Sequence, residues 1–299
     1  MSNQDPLIHG SPTRQARVSG EVRERRTWRS PLGVAAMALA LLLPAGPRDL
    51  GAQEGDGPET RPTAFASDDD RVYEGSNGEL RVEIARAEGI EVDVDGSLDE
   101  PAWERASILR GFTQFEPSEG IPAAEETEVL VLVGEDAILF GVRATDSAMD
   151  QIRATLGERD GFTRSDDYVR FVIDTFDDQR KAYVFSVNPY GVQHDGLWVE
   201  GGGGGRRGGG FGPPIDSNPD FLWESDARMH DGGWTAEVKI PFKSLRFPDR
   251  QVQDWGFNVT RSIQRRGFQQ SWAPLTSDVA NRLTQSGHLV GLRDLDPGL

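Results

Sequence analysis

Residues 90–103 read Ile-Glu-Val-Asp-Val-Asp-Gly-Ser-Leu-Asp-Glu-Pro-Ala-Trp. Val92–Val94 predicts a short strand, Asp95-Gly96 a turn, and Glu100–Ala106 one or two helical turns that begin at Pro101 and dock Trp103. A second stretch far along the chain, residues 232–247, reads Gly-Gly-Trp-Thr-Ala-Glu-Val-Lys-Ile-Pro-Phe-Lys-Ser-Leu-Arg-Phe. Trp234, Ala236, Val238 and Ile240 fall on one face of a strand, Thr235, Glu237 and Lys239 on the other, and Pro241 ends the run.

The rest of the chain repeats this strand grammar. Thr127–Val133 and Ala137–Ala144 flank Gly134-Glu135-Asp136, and Phe221–His230 and Gly233–Ile240 flank Asp231-Gly232, so each pair predicts a hairpin. Asp167–Thr175 and Lys181–Asn188 form a third pair that Val192–Val199 continues. Trp255, Phe257 and Val259 repeat the period in Asp254–Gln264, and Gly267–Ala273 predicts a last strand before a loop to His288–Leu292. Crossover helices have no room. The expectation is an all-β, antiparallel two-sheet β-sandwich (jelly-roll or immunoglobulin-like) with a short helical turn near its start.

Ahead of this domain, Arg23, Arg25, Arg26 and Arg29 precede the apolar run Val34–Leu43, with small residues at Ala45-Gly46 and Gly51-Ala52. That order reads as a secretory signal over residues 1–53, the other reading being an uncleaved anchor or buried helix. Residues 54–79, acidic and rich in Gly and Pro, read as a flexible linker, and 80–299 as the sandwich. Gly201–Gly210, broken by Arg206-Arg207, reads either as a disordered insertion or as a cationic flap. A net charge of −17 argues against nucleic acid as a partner, and the absence of cysteine removes disulfides and thiolate chemistry.

Taken in order, Val94–Trp103, Thr127–Leu132 with Leu139–Val142, Asp167–Asp174, Phe185–Asn188, Gly233–Phe242 and Trp255–Asn258 resemble the family 9 carbohydrate-binding module. The likeness runs from about Ile90 to Leu292. It implies a non-catalytic domain for polysaccharide or oligosaccharide, linked to glycoside hydrolases that degrade xylan or cellulose, with calcium bound structurally. It also implies a sugar clamped between two tryptophans and assisted by a carboxylate, an arginine and asparagines. Here the clamp positions fall on Thr163-Arg164 and on the loop near Val279-Ala280-Asn281, the carboxylate on Arg170 and the arginine on Ser186, while Asn188 is kept. The run Asn188–Gly196 resembles a branch at the N-terminus of large exported bacterial proteins, before an outer-membrane barrel-like region. By that likeness the chain is a fragment or short form, an accessory domain associated with the outer membrane through a region past Leu299. The expected location is the periplasm, outer membrane or extracellular space.

Trp198 and Trp223 flank the glycine-rich run and are candidates for a relocated sugar platform, the alternative being core packing. With Asn188 and Arg170 they make the expected carbohydrate-binding set. Carboxylates gather at Asp146/Asp150, Asp166/Asp167, Asp174/Asp177/Asp178 and Asp93/Asp95/Asp99, as calcium ligands or as turn caps and solvated charge. His194, His230 and His288 have no ligand spacing, and no catalytic residue is assigned.

Overall fold

Alternation of apolar and polar residues, interrupted by glycine turns, folds into two stacked sheets. The computed structural model describes residues 71–87, 89, 92–159, 165–200 and 215–295. The segment read as a secretory signal, the stretch read as a linker as far as residue 70, Thr163-Arg164 and the glycine-rich run lie outside them.

Among the described residues the strands are, in chain order, β1 (Val72–Glu74), β2 (Arg81–Glu83), β3 (Ala85–Arg86), β4 (Ser107–Arg110), β5 (Thr113–Glu116) and β6 (Ile121–Pro122). They continue with β7 (Thr127–Val133), β8 (Ala137–Thr145), β9 (Tyr168–Asp174), β10 (Lys181–Val187), β11 (Gln193–Val199) and β12 (Ile215–Asp216). The last are β13 (Glu224–His230), β14 (Gly233–Pro241), β15 (Val252–Ile263), β16 (Phe268–Ser271) and β17 (Gly287–Arg293). One sheet runs β1-β4-β7-β8-β14-β13, with β3 beside β7. The other runs β12-β11-β10-β9-β15-β16-β5-β6, with β17 joining β15 to β2. β15, at 12 residues, is long enough to hold two partners on one edge, β17 along its first half and β16 along its second. Thus the all-β sandwich is present. The three hairpin pairs form as read, and β1 lies inside the stretch read as linker, where it pairs with β4.

The inner faces meet through Val129, Val131, Phe140 and Val142 of the smaller sheet and Val169, Phe171, Phe185 and Phe257 of the larger. Phe140 spans the gap, its ring centroid 4.5 Å from Phe171 and 5.5 Å from Phe257. Every residue of β7 is buried, because the smaller sheet is covered on its outer side too. That cover is the segment 92–106. Leu98 and Trp103 pack with Leu130, Leu132 and Leu139, and Trp103–Arg105 forms one 3-10 turn in place of the longer helical stretch expected.

Glu237 joins the two quoted stretches. Wholly buried on β14, it accepts hydrogen bonds from the backbone N–H of Asp95 and Gly96, each 2.9 Å, and from Trp103 Nε1 at 2.9 Å. Gly141 lets the segment lie close, since a Cβ there meets Leu98 Cδ2 at 2.7 Å and the Trp103 ring at 3.3 Å. A glycine inside a strand ordinarily weakens it. Here the sign reverses: Gly141→Val is expected to lower stability by about 1–2 kcal/mol through overpacking, read from the urea midpoint.

Candidate functional site

The outer face of the larger sheet carries an unbroken polar row. Register places His194 of β11 opposite Ser186 of β10, Ser186 opposite Arg170 of β9, and Arg170 opposite Thr260 of β15. Thr260 then faces Ser271 of β16, and Ser271 faces Thr113 of β5. Directly opposed residues share a face, and at about 4.8 Å per strand the six positions span roughly 24 Å. The flanking rows explain why this one stands out. On one side Val172, Ala182, Val184 and Trp198 form an apolar patch capped by Leu283, whose 3-10 turn (Arg282–Gln285) folds over the sheet. On the other lie Tyr168, Ser262 and Gln269.

Arg170 sits at the centre, half-buried. Its Nε donates to Ser186 Oγ at 3.0 Å, and its guanidinium carbon is 4.7 Å from the centroid of the Tyr168 ring. Among the described residues its two terminal amino groups have no hydrogen-bond partner and no carboxylate within ion-pair reach. Ser271 Oγ, two strands away on the same row, is buried and also without a partner. Arg282 arches over Phe115, 5.4 Å from the ring centroid, with Glu116 at 3.8 Å. Burial pushes the Glu116 carboxyl above its ordinary value, against the pull of Arg282.

The structure does not bring the four expected sugar-binding residues together. Trp198 is on the outer face but only 8% exposed, with Nε1 donating to Glu200 at 3.0 Å. Trp223 lies on the inner side, 3% exposed, edge-on to Phe185 and donating to Asp195 Oδ2 at 2.8 Å. Asn188 is wholly buried: Nδ2 donates to Thr155 O and Asp166 Oδ2, and Oδ1 accepts from Tyr190 N and Val192 N. Its full hydrogen-bonding capacity holds the turn after β10. Only Arg170 presents free donors outward. Thr260 and Ser271, which complete the row, were not singled out from sequence; the alternation of β15 marks Thr260 as outward, but no local signal tells an outward threonine in a site from any other.

Calcium needs several convergent oxygen ligands. Among the described residues no three His, Asp or Glu side chains converge, and four of the carboxylates named from sequence have other partners. Asp166 accepts from Thr155 N and Oγ1, Asp174 from Phe176 N and Gln179 N, Asp95 from Ser97 N and Arg228, and Asp146 from Ala148 N and Arg265. A structural calcium ion would have to draw on backbone carbonyls or on residues outside the described ones.

No protein-family model matches the chain, and no curated protein matches it either. Solved structures do resemble it. A protein from Bacteroides uniformis ATCC 8492, provisionally described as carbohydrate-binding, is 12% identical, covers 70% of this chain and 98% of its own, and superposes with a TM-score of 0.52. The sandwich fold is shared. Two structures of a family 9 carbohydrate-binding module from Caldicellulosiruptor kristjanssonii, one with cellotriose and one with glucose, are each 11% identical. They cover 73% and 72% of this chain and 97% and 98% of their own, with TM-scores of 0.48 and 0.49. Likeness at such identity is one of architecture, and function rests on the site.

Proposed function

We propose that this chain is a non-catalytic carbohydrate-binding protein that holds an oligosaccharide or polysaccharide along the outer face of its larger sheet. The observation that carries this reading is the continuous polar row from His194 to Thr113, with outward donors at Arg170. Sugar hydroxyls need convergent donors and acceptors, and the guanidinium and hydroxyl groups that this row leaves accessible, Arg170 and Thr260, are held in fixed positions on a rigid sheet. The shared fold with a Bacteroides protein described as carbohydrate-binding supports it. We extend the proposal to export of the chain and to a place beside polysaccharide-degrading hydrolases, both from the sequence reading.

Isothermal titration of the full chain against cello-, xylo- and manno-oligosaccharides, together with acidic ones, tests the reading. Saturable heat that vanishes in Thr260→Trp, which fills the middle of the row, is the expected result. A folded protein that gives no heat with any glycan leaves the other reading, an accessory domain for an outer-membrane protein without sugar binding of its own.

A further inference from the structure

We infer that the ligand of this face is an acidic carbohydrate, held through the carboxylate of a uronic acid residue. The inference rests on the carbohydrate-binding reading above and adds the chemical class. A neutral sugar is ordinarily gripped by stacking its C–H face on an exposed aromatic plane. On this face the aromatic planes are taken. The Tyr168 ring is 8% exposed beneath Arg170, and Phe115, 6% exposed, lies beneath Arg282. Trp198, 8% exposed, packs against Leu283. What the face presents outward is a guanidinium where a stacking platform would otherwise lie.

The geometry of Arg170 suits an anion. Its Nε is fixed by Ser186 Oγ at 3.0 Å and its plane lies against Tyr168, so the orientation of the fork is set before a ligand arrives. The two terminal amino groups are left to point at a planar carboxylate, which a guanidinium binds through two parallel hydrogen bonds. Three other described arginines of this sheet and its covering turn are committed elsewhere: Arg282 to Glu116, and Arg261 and Arg265 to Asp146. The Thr260 hydroxyl beside Arg170 supplies a neutral hydrogen-bonding group for an adjoining ring hydroxyl. The net charge of −17 repels anions at long range. An anionic sugar that binds must therefore do so through a local cation, and Arg170 is the one this row offers.

The test titrates the full chain with trigalacturonate, its methyl ester, and cellotriose and xylotriose at the same ionic strength. The expected result is trigalacturonate binding at least about tenfold tighter than the ester or the neutral trisaccharides, a gap of about 1.4 kcal/mol. Arg170→Gln is expected to erase that preference, and Arg170→Lys to restore part of it as a point charge without the fork; circular dichroism confirms that both fold. Equal affinity for the acid and its ester, or a preference unmoved by Arg170→Gln, overturns the acidic class while leaving sugar binding in place. No heat with any of the four, from folded protein, removes the carbohydrate reading itself.

Discussion

Glu237→Ala is expected to destabilise the sandwich by about 3–4 kcal/mol, because it strips partners from backbone donors that have no water to turn to. Gly96 N and Asp95 N both end on Glu237 Oε2. Trp103 Nε1 retains Glu100 Oε2 at 3.1 Å and loses less. Each orphaned buried donor costs roughly 1–3 kcal/mol, against a total stability of about 5–15 kcal/mol for a domain. Urea unfolding followed by tryptophan fluorescence measures the loss, and accelerated hydrogen exchange at the Asp95 and Gly96 amides localises it to the segment over the smaller sheet. The same carboxyl carries a pH signature. Burial pushes it from 4.5 up to about 7, against the N–H donors that favour its ionised form. Between those values the folded chain holds a proton that the unfolded chain has released, so the stability this group contributes is fully present below about pH 4.5 and is lost as pH rises through about 7. The fall attributable to this group is on the order of 3 kcal/mol. Burial raises Asp167 and Asp174 as well, with the same sign. The difference between wild type and Glu237→Gln therefore isolates the contribution of Glu237; a slope unchanged in that variant assigns the pH dependence elsewhere.

Glu237 also shows where reading the sequence stops. The alternation Trp234, Ala236, Val238, Ile240 identified the inner face of β14, and all four are buried. The same alternation put Glu237 on the opposite face, where a charged residue is usually solvated. Nothing within residues 232–247 announces that residues 92–106 will cover that face. The contact is made between positions more than 130 apart, and it is the physical reason the two stretches occur together. The β7–β8 and β13–β14 hairpins were legible for the opposite reason: their register follows from turns of three and two residues beside each strand. The short strands β1 and β3 carry too few residues for a period. β1 in particular sits at the end of a Gly- and Asp-rich stretch, and only its partner β4 makes it a strand. In the candidate site Arg170 could be placed on β9, but whether its charge would be paired depends on which neighbours β10 and β15 bring beside it. Trp198 and Trp223 were separated for a similar reason. They lie on opposite sides of the larger sheet, a fact set by register and by the path of the chain into β13 rather than by their spacing in sequence.

Arg261→Met is expected to cost about 3–5 kcal/mol, since it removes one partner from a buried charge cluster and leaves the rest in place. Along β15 the inner face reads Trp255, Phe257, Val259 and then Arg261, whose side chain is only 2% exposed where an apolar residue is the usual occupant. Its Nη1 donates to Glu126 O at 2.9 Å and Thr127 Oγ1 at 3.1 Å, and its Nη2 to Thr145 O at 2.7 Å. One guanidinium thus ties the open end of the β7–β8 hairpin to the opposite sheet. Asp146 lies 3.6 Å from Arg261 and 2.5 Å from Arg265, which also reaches Glu125 at 2.5 Å. Two arginines thus answer Asp146 and Glu125, with Asp167 close by. Burial brings the Arg261 guanidinium down to about 10, and the neighbouring carboxylates of Asp146, Asp167 and Glu125 oppose that fall, so it stays charged at neutral pH. Methionine fills much of the volume but leaves Asp146 and Glu125 with one cation between them and takes the Arg261 donors from the carbonyls of Thr145 and Glu126, the latter keeping Thr145 N and Oγ1. The loss should appear as a lower urea midpoint with an unchanged slope. In this cluster guanidinium groups do what a bound cation does elsewhere: they neutralise buried carboxylates and fix the loops that carry them. Wild-type Tm is accordingly expected to be the same in calcium and in chelator. A Tm that falls in chelator would locate the stabilising charge outside the described residues, whereas a Tm that ignores the metal but collapses in Arg261→Met assigns it to the arginines.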